Sequence, residues 1–219
     1  RDRSPSRGLG DVYKRQIKRW AKDRGFRRYH PVGWGRSENA ILVRRPLRMP
    51  WNLVRTKRLT HLTLRTARKA PQFASVATVR PPRNSGIKGR AVVAMAHFPA
   101  DVDGGDGFRG GWPTKVWHEM QDKFVRIAWR RRNWRVRAFG ADFNVSFRNQ
   151  WARRAVSADS NLELTWCARD LPSRGTHTKS RRIITGLLCD GDYEFAELGR
   201  AQAGHDHVPS STKVYWPLG

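Results

Sequence analysis

The sequence predicts an α/β protein with mixed, largely antiparallel sheets, and three observations lead to that fold class. Segments with the alternating or compact apolar pattern of strands outnumber segments with helical periodicity. Pairs of such strands alternate with single helices, instead of one helix following every strand. No internal repeat and no linker divides the chain, which is long enough for one domain with a buried core. Together these features favour mixed sheets over a doubly wound parallel fold.

The first half of the chain contains the end of a helix and five predicted strands. The apolar spacing in Ile17–Arg24 predicts the helix end, and Gly25 is placed as its C-cap. The strands are predicted at Phe26–Val32, Asn39–Val43, Leu59–Leu64, Phe73–Val79 and Ala91–Ala96. The third and fourth of these alternate in polarity, so we expect them to form an antiparallel pair. A hairpin-like loop, Pro81–Gly89, is expected before the fifth.

The second half contains the strongest helix, Thr114–Arg131, which follows the Gly- and Asp-rich loop Pro99–Pro113 and has Thr114 as its expected N-cap. Its apolar stripe consists of Val116, Met120, Phe124, Ile127 and Ala128, and the cationic residues Lys123, Arg126, Arg130 and Arg131 lie largely outside that stripe. The remaining predicted elements are a strand around Val136, Ala138 and Phe139 that runs into Gly140, a short helix around Asn149–Val156, and strands at Leu162–Trp166, Ile183–Cys189 and Val214–Trp216.

Charge is the most unusual property of the composition. The formal net charge is +26 and the sequence pI is about 11.6, mostly because of arginine. Such a field attracts polyanions, and nucleic acid is the first candidate partner, although codon bias in a GC-rich genome also enriches arginine. The sequence contains no run of 18 apolar residues, so it predicts no transmembrane helix. Cys167 and Cys189 lack a CxxC partner and are expected to be reduced, which suits a cytoplasmic protein without cysteine-bound zinc. We also expect a monomer.

The N-terminal segment, residues 1–16, is expected to be non-native and disordered. Asp11–Gln16 can be back-translated as GAT GTG TAT AAG AGA CAG, which resembles the adapter end of transposase-based sequencing libraries. The preceding Ser-, Arg- and Gly-rich stretch has no apolar periodicity, so a natural basic arm is the alternative. Processing or adapter scars are excluded from fold reasoning. We therefore expect a single, incomplete domain at residues 17–219 of a metagenomic or phage sequence.

Three short segments place polar residues at the ends of predicted strands. They are Met95–Pro99 with His97, Gly140–Asn144 with Asp142, and His205–Pro209 with its Asp and two His residues. Taken singly, each has an ordinary explanation: a structural histidine, a plain turn, or incidental metal affinity. His118-Glu119 on the main helix lacks a second histidine four residues on and is not a zinc-protease motif.

The order of these segments resembles the endonuclease/exonuclease/phosphatase superfamily, which includes deoxyribonucleases, apurinic endonucleases and inositol-phosphate phosphatases. The carrying motifs are a strand ending in His97, the Asp142-Phe143-Asn144 turn, Gly175-Thr176-His177, and the Asp206-His207 pair, with Asn39–Val43 similar to an early family strand. The likeness covers roughly residues 17–218. It implies a four-layer α/β/β/α sandwich, here missing its N-terminal strand or strands, with phosphoester cleavage at one edge.

The resemblance also implies a role for each matching residue. Asp142 would help to activate the water or stabilise the transition state, and Asn144 would orient a phosphate oxygen and its neighbouring carboxylate. His97 would donate a hydrogen bond to a phosphate oxygen. Asp206 would help to hold Mg²⁺ (or Mn²⁺), and His207 would be the general base or a phosphate-contacting imidazole. Hard carboxylate oxygens suit Mg²⁺, and a histidine of near-neutral pKa suits proton transfer.

Two departures from the family pattern predict impaired activity. The family's metal-binding glutamate would lie upstream of Ile17, and Glu38 does not match it. Ile184 stands where the family has an aspartate that orients the catalytic histidine, and Asp190 or Asp192 could replace it only if the strand register shifts. The sequence thus leaves three readings open: a fragment of a Mg²⁺-dependent nuclease or phosphodiesterase, a non-catalytic basic nucleic-acid-binding relic of the same fold, and a partly spurious reading frame.

Overall fold

A mixed six-stranded sheet is the central layer of the part of the chain that the computed structural model describes. The described residues are 19–31, 40–50, 53–62, 73–130, 136–156, 165–166, 185–190, 197–198, 210–211 and 215. The strands are β1 (Phe26–Pro31), β2 (Ala40–Arg44), β3 (Val54–Arg58), β4 (Phe73–Val79), β5 (Ala91–His97), β6 (Val136–Asp142), β7 (Thr165–Trp166), β8 (Thr185–Asp190), β9 (Glu197–Leu198) and β10 (Ser210–Ser211). The helices are α1 (Gly111–Trp129) and α2 (Gln150–Val156), and residues 19–23 are also helical.

The strand order of the main sheet is β3-β4-β5-β6-β8-β7. Only β5 and β6 of this sheet pair in parallel, and its other neighbours pair antiparallel. β1 with β2, and β9 with β10, form two further antiparallel pairs. The predicted α/β class with mixed, largely antiparallel sheets is therefore confirmed.

Both faces of the central sheet are covered. Ala74 and Val76 of β4 pack in a core with α1, whereas Ala77 and Val79 pack in a second core with β2 and Met49. The bounds predicted for this strand are correct, and it pairs antiparallel with the strand before it, as expected. Its alternation in polarity does not correspond to a difference in exposure, because every residue from Ala74 to Val79 is buried. Small and β-branched side chains occupy both faces because a layer lies on each side.

Helix α1 covers one face through a wide apolar surface. Its predicted stripe is buried at Val116, Met120, Phe124 and Ile127, and Trp117 is fully buried beside them. The Trp117 indole Nε1 donates to the carbonyl oxygen of Phe143 at 2.8 Å. The predicted N-cap is wrong, because the helix begins at Gly111 and the Thr114 hydroxyl donates back to the Gly110 carbonyl at 3.0 Å. Thr114 therefore lies within the first turn.

The prediction of a strand at Leu59–Leu64 is wrong in position, because the observed strand, β3, ends at Arg58. Leu59 and Thr60 are consecutive and both fully buried, which a regular strand with one solvated face does not allow. The Thr60 hydroxyl donates to the Glu119 carboxylate of α1 and accepts from the Leu62 N–H at 2.9 Å. This side-chain turn replaces ladder pairing at the position where the prediction placed the strand.

The remaining element predictions agree in part with the structure. Gly25 follows the helical residues with φ +74°, as its predicted capping role requires. β5 and β6 are longer than predicted and end on His97 and Asp142. Residues 162–164, 183–184, 214 and 216 lie outside the described residues, and Tyr215 is in no strand. In the portion that can be described, no helix is long and apolar enough to cross a membrane.

Glu119 fastens α1 to the segment that follows β3. Burial raises the pKa of its carboxyl group, but hydrogen bonds from Lys123, Thr60 and the His61 N–H, together with the Lys123 charge, outweigh that effect. The net result lowers the pKa from its usual 4.5 to about 2. A depressed folded-state pKa means that the carboxylate stabilises the fold above pH 4.5 and that this contribution is lost as the pH falls towards 2.

We expect Glu119→Gln to lower the free energy of unfolding by about 1 kcal/mol near pH 6, because the charge-assisted hydrogen bonds are lost. The difference between variant and parent should shrink as the pH falls from 4.5 towards 2, where the parent carboxylate becomes protonated. Urea unfolding across this pH range measures it. Asp122→Asn, an exposed change on the same helix, is the control. A difference that stays constant over this range would contradict the assignment.

Candidate active site at the carboxyl edge of β5 and β6

The last residues of two parallel strands bring His97 and Asp142 together. They are register partners in the β5–β6 ladder, and the His97 Nε2 lies 3.7 Å from the Asp142 Oδ2. The histidine side chain is 43% exposed and the aspartate side chain 16% exposed. The carboxyl ends of parallel strands are the usual position of ligand sites in α/β sheets. The imidazole is therefore accessible to a ligand, while the carboxylate beneath it is largely enclosed.

Asn144 fixes the orientation of this carboxylate. Its backbone N–H donates to Asp142 Oδ1 at 3.1 Å, and its side-chain Nδ2 donates to the Phe98 carbonyl at 2.8 Å. The Phe98 N–H in turn donates to the Asp142 carbonyl at 2.8 Å. Asn144 has φ 55°, in the left-handed region that asparagine tolerates better than most residues. In this turn, one carboxylate oxygen of Asp142 accepts a backbone hydrogen bond and the other faces His97.

A buried carboxylate, Asp103, ties together the two loops that border these residues. Its Oδ1 accepts from the Gly105 N–H at 2.9 Å and its Oδ2 accepts from the Ser146 N–H at 2.8 Å. The Gly105 carbonyl accepts from Asn149 Nδ2 and from Trp151 Nε1, both at 2.8 Å. The loop after β5 is therefore joined to the segment after β6 at several points, which fixes the surroundings of His97 and Asn144.

Aromatic side chains in the core that contains α1 pack beside the same strand ends. The ring of Phe98 stacks on Phe143 with 4.9 Å between centroids and packs on Trp117 at 5.4 Å. All three side chains are at most 1% exposed. Because buried side chains of this size repack poorly, the residues that follow His97 and Asp142 have little freedom to move.

The structure brings together three of the five residues that the sequence singled out. His97, Asp142 and Asn144 converge, whereas Asp206 and His207 lie outside the described residues. Ile184, the departure from the family pattern, also lies outside them. Thr185, the first residue of β8, is the antiparallel partner of Asp142 and so lies at the same edge. Sequence reasoning missed Asp103, which stands in a loop with two other aspartates and carries no motif that separates it from them.

The described side chains near His97 offer few ligands for a metal ion. Among them, no group of three or more His, Cys, Asp or Glu residues is placed to hold a metal ion. Mg²⁺ requires several oxygen ligands and is held in proteins by one or two carboxylates, waters and substrate phosphate. Asp142 alone offers a carboxylate next to His97, so the described residues do not make a complete metal site.

Solved structures with the same architecture identify the class of fold. The catalytic domain of human Nocturnin with a bound sulfate anion matches with TM-score 0.57 and 17% identity, over 93% of this chain and 76% of that one. An endonuclease/exonuclease/phosphatase structure from Bacteroides vulgatus matches with TM-score 0.61 and 12% identity, over 86% and 76%. A variant of Staphylococcus aureus beta toxin with bound magnesium ions matches with TM-score 0.53 and 11% identity, over 80% and 67%.

The chain therefore has the fold of the endonuclease/exonuclease/phosphatase structures. No protein-family model matches the sequence, and no curated protein matches it by sequence comparison. The assignment thus depends on the arrangement of strands and helices, and the family fold expected from the order of the motifs is confirmed.

We expect Asp103→Ala to lower the free energy of unfolding by about 3 kcal/mol, because two backbone N–H groups lose a charged acceptor. Urea denaturation of the variant and the parent measures the difference. Asp106→Ala, in the same loop but exposed, is the control and should change stability by less than about 0.5 kcal/mol. Equal effects of the two substitutions would show that Asp103 does not join the two loops.

Proposed function

We propose that this chain is a phosphoester hydrolase of the endonuclease/exonuclease/phosphatase type that depends on a divalent metal ion. The observation that carries the proposal is the convergence of His97, Asp142 and Asn144 at the carboxyl edge of the parallel strand pair. The fold supports it, because these residues occupy the strand-end motifs by which the sequence resembles that family. The class of reaction is the hydrolysis of a phosphate ester by water.

In this proposal His97 donates a hydrogen bond to a non-bridging phosphate oxygen. Its half-exposed imidazole can reach a ligand, and the Asp142 carboxylate lies beside it. The separation of 3.7 Å is longer than a hydrogen bond, and such contacts commonly tighten when substrate binds. Asp142 would help to activate the water or stabilise the transition state, and Asn144 would keep that carboxylate in position.

Two further residues complete the proposed site from outside the described part of the chain. Asp206 is proposed to hold Mg²⁺ or Mn²⁺, and His207 is proposed as the general base or a second phosphate contact. A bound divalent ion supplies neutralisation of charge on the phosphate oxygens. The magnesium ions in the beta toxin structure support this choice of metal for the fold.

Turnover is proposed to be slow because Ile184 replaces the aspartate expected to orient the base. An imidazole without such a partner loses control of its tautomer and direction, which in one well-measured protease costs about 10⁴ in rate. The same substitution favours the second candidate function, a non-catalytic nucleic-acid-binding protein of this fold. The net charge of +26 supports binding in either case.

We expect slow nicking of supercoiled plasmid by the unmodified chain in Mg²⁺ or Mn²⁺, and none in EDTA. His97→Ala should lower the rate by about 10²-fold or more, because a positioned proton donor is lost. His118→Ala removes an exposed imidazole from α1 and is the matched control, which should leave the rate unchanged. Gel electrophoresis of the nicked product measures each rate.

Different outcomes separate the parts of this proposal. Robust metal-dependent nicking that His207→Ala abolishes would contradict the impairment while supporting the hydrolase. Nicking that persists in EDTA, or that His97→Ala leaves unchanged, would contradict the assignment of the site. Binding without any nicking would favour the non-catalytic candidate.

A further inference from the structure

A cationic groove lies between the end of β3 and the C-terminal half of α1. It has a volume of about 470 Å³ and is lined by Lys57, Arg58, Leu59, Lys123, Arg126, Ile127 and Arg130. Leu59 and Ile127 are buried and form an apolar floor, while Lys57, Arg58, Arg126 and Arg130 are exposed. Five of the seven lining residues are cations, so the groove concentrates positive charge on a surface that has a defined shape.

Helical periodicity aligns one wall of this groove. Positions 123, 126, 127 and 130 are spaced by three and four residues and share one face of α1. At a rise of 1.5 Å per residue, Lys123 and Arg130 are about 10 Å apart along the helix axis. Phosphates of a stacked nucleic-acid strand recur about every 3.4 Å along its axis. The wall therefore matches a run of about three phosphates, whereas a single small anion would use only part of it.

Two acidic residues of α1, Glu119 and Asp122, lie next to these cations, and the five cations outnumber them. Glu119 forms an ion pair with Lys123 and accepts from the Thr60 hydroxyl. The Arg58 Nε donates to the Thr60 carbonyl at 3.0 Å, which directs the guanidinium side chain along this segment. Two neighbouring carboxylates thus stand against five cations, and the groove keeps a net positive charge.

Strand register relates the groove to the candidate active site. Arg58 is the partner of Phe73, and Ser75 is the partner of Met95, so continuing this register brings the Arg58 backbone level with that of His97 across β4. Ala96 packs in the core with α1, whereas Met95 packs in the core with β2, so strand alternation places the His97 side chain on the sheet face opposite α1. Neighbouring strands are about 4.8 Å apart, which gives roughly 10 Å between the Arg58 and His97 backbones. A strand bound in the groove would have to pass round this edge of the sheet to reach the imidazole, so at least about three nucleotides of a stacked strand are needed for that distance.

We propose that this groove is a binding site for the phosphate backbone of a polynucleotide, which it holds beside the His97 edge. The inference deepens the proposed hydrolase function and rests on it for the role of the bound strand as substrate. The contacts are to phosphate and carry no base recognition, so binding is independent of sequence and weakens with salt. Glu119 contacts Thr60 at the end of the groove that is closer to His97, and α1 extends about 16 Å from Glu119 to Arg130. This length corresponds to about five nucleotides, in addition to the three that span the distance to His97.

The binding test uses Arg126→Ala/Arg130→Ala in the full chain, with a labelled single-stranded 16-mer in EDTA so that no turnover occurs. Loss of two phosphate contacts should reduce the slope of log affinity against log salt by about 1.4 and weaken binding about 25-fold near 0.1 M salt. Fluorescence anisotropy over a salt series measures both. Arg126→Lys/Arg130→Lys retains the charges and should restore most of the affinity, which separates charge loss from misfolding.

The matched control is Arg83→Ala/Arg90→Ala, which removes the same charge from exposed positions in the β4–β5 loop. It should leave the slope nearly unchanged. Equal losses in the groove and control variants would show that the overall field, and not the groove, binds the strand, and would overturn the proposal. Competition by polyglutamate as strong as that by unlabelled oligonucleotide would also overturn it, because the groove would then suit an acidic peptide.

Substrate length separates this inference from the proposed hydrolase function. Hydrolysis in Mg²⁺ of oligonucleotides of increasing length should gain in kcat/KM until they reach about eight nucleotides, and the groove variant should lose that gain. Hydrolysis that is independent of length, with binding unchanged in the groove variant, overturns the groove and leaves the hydrolase intact. If no oligonucleotide and no small phosphodiester is hydrolysed, the hydrolase proposal fails, and the binding experiment in EDTA still decides the groove.

Discussion

The parallel pairing of β5 with β6 is the constraint on which the candidate site depends. Parallel neighbours cannot be joined by a tight turn, so the chain must leave the sheet and return through a crossover, here α1. That crossover places the ends of both strands at one edge, which brings His97 beside Asp142 although 44 residues separate them in the sequence. The helix can perform this role because it buries one long face against the sheet, and Trp117 adds a hydrogen bond to the Phe143 carbonyl directly after Asp142.

Buried polar groups then fix the conformation of the loops that follow β5 and β6. Asp103 and Asn144 each satisfy backbone groups that would otherwise be unpaired where the ladder stops. The cost of leaving such groups without partners makes these contacts strong determinants of loop conformation. As a result, the His97–Asp142 contact is supported on both sides by loops that are joined to each other. A site built in this way is preorganised by the fold before any ligand binds.

Local sequence patterns correctly predicted the elements that are determined by their own apolar spacing and not by contacts with distant residues. β4 was correctly located from its alternation in polarity and β5 from its apolar run, because each pattern lies within a segment bounded by turn residues. β3 was misplaced because Leu59 and Thr60 are buried through their contacts with α1, far away in the sequence. His97 and Asp142 were singled out from the order of motifs, and their functional roles stay predictions. Asp103 was missed because its acceptor role depends on Ser146, which no spacing rule connects to it.

For charge, too, the composition gives the net value, whereas the fold determines where the charged side chains lie. A net charge of +26 predicts attraction to polyanions but assigns it to no surface. Three carboxylates of the described core, Asp103, Glu119 and Asp142, are held by backbone N–H groups, a hydroxyl or a single lysine. They stabilise loops and helix contacts instead of neutralising the surrounding arginines. Because these three charges have partners within the fold, the exposed cations at the end of α1, such as Arg126 and Arg130, are not neutralised by them when a polyanion approaches.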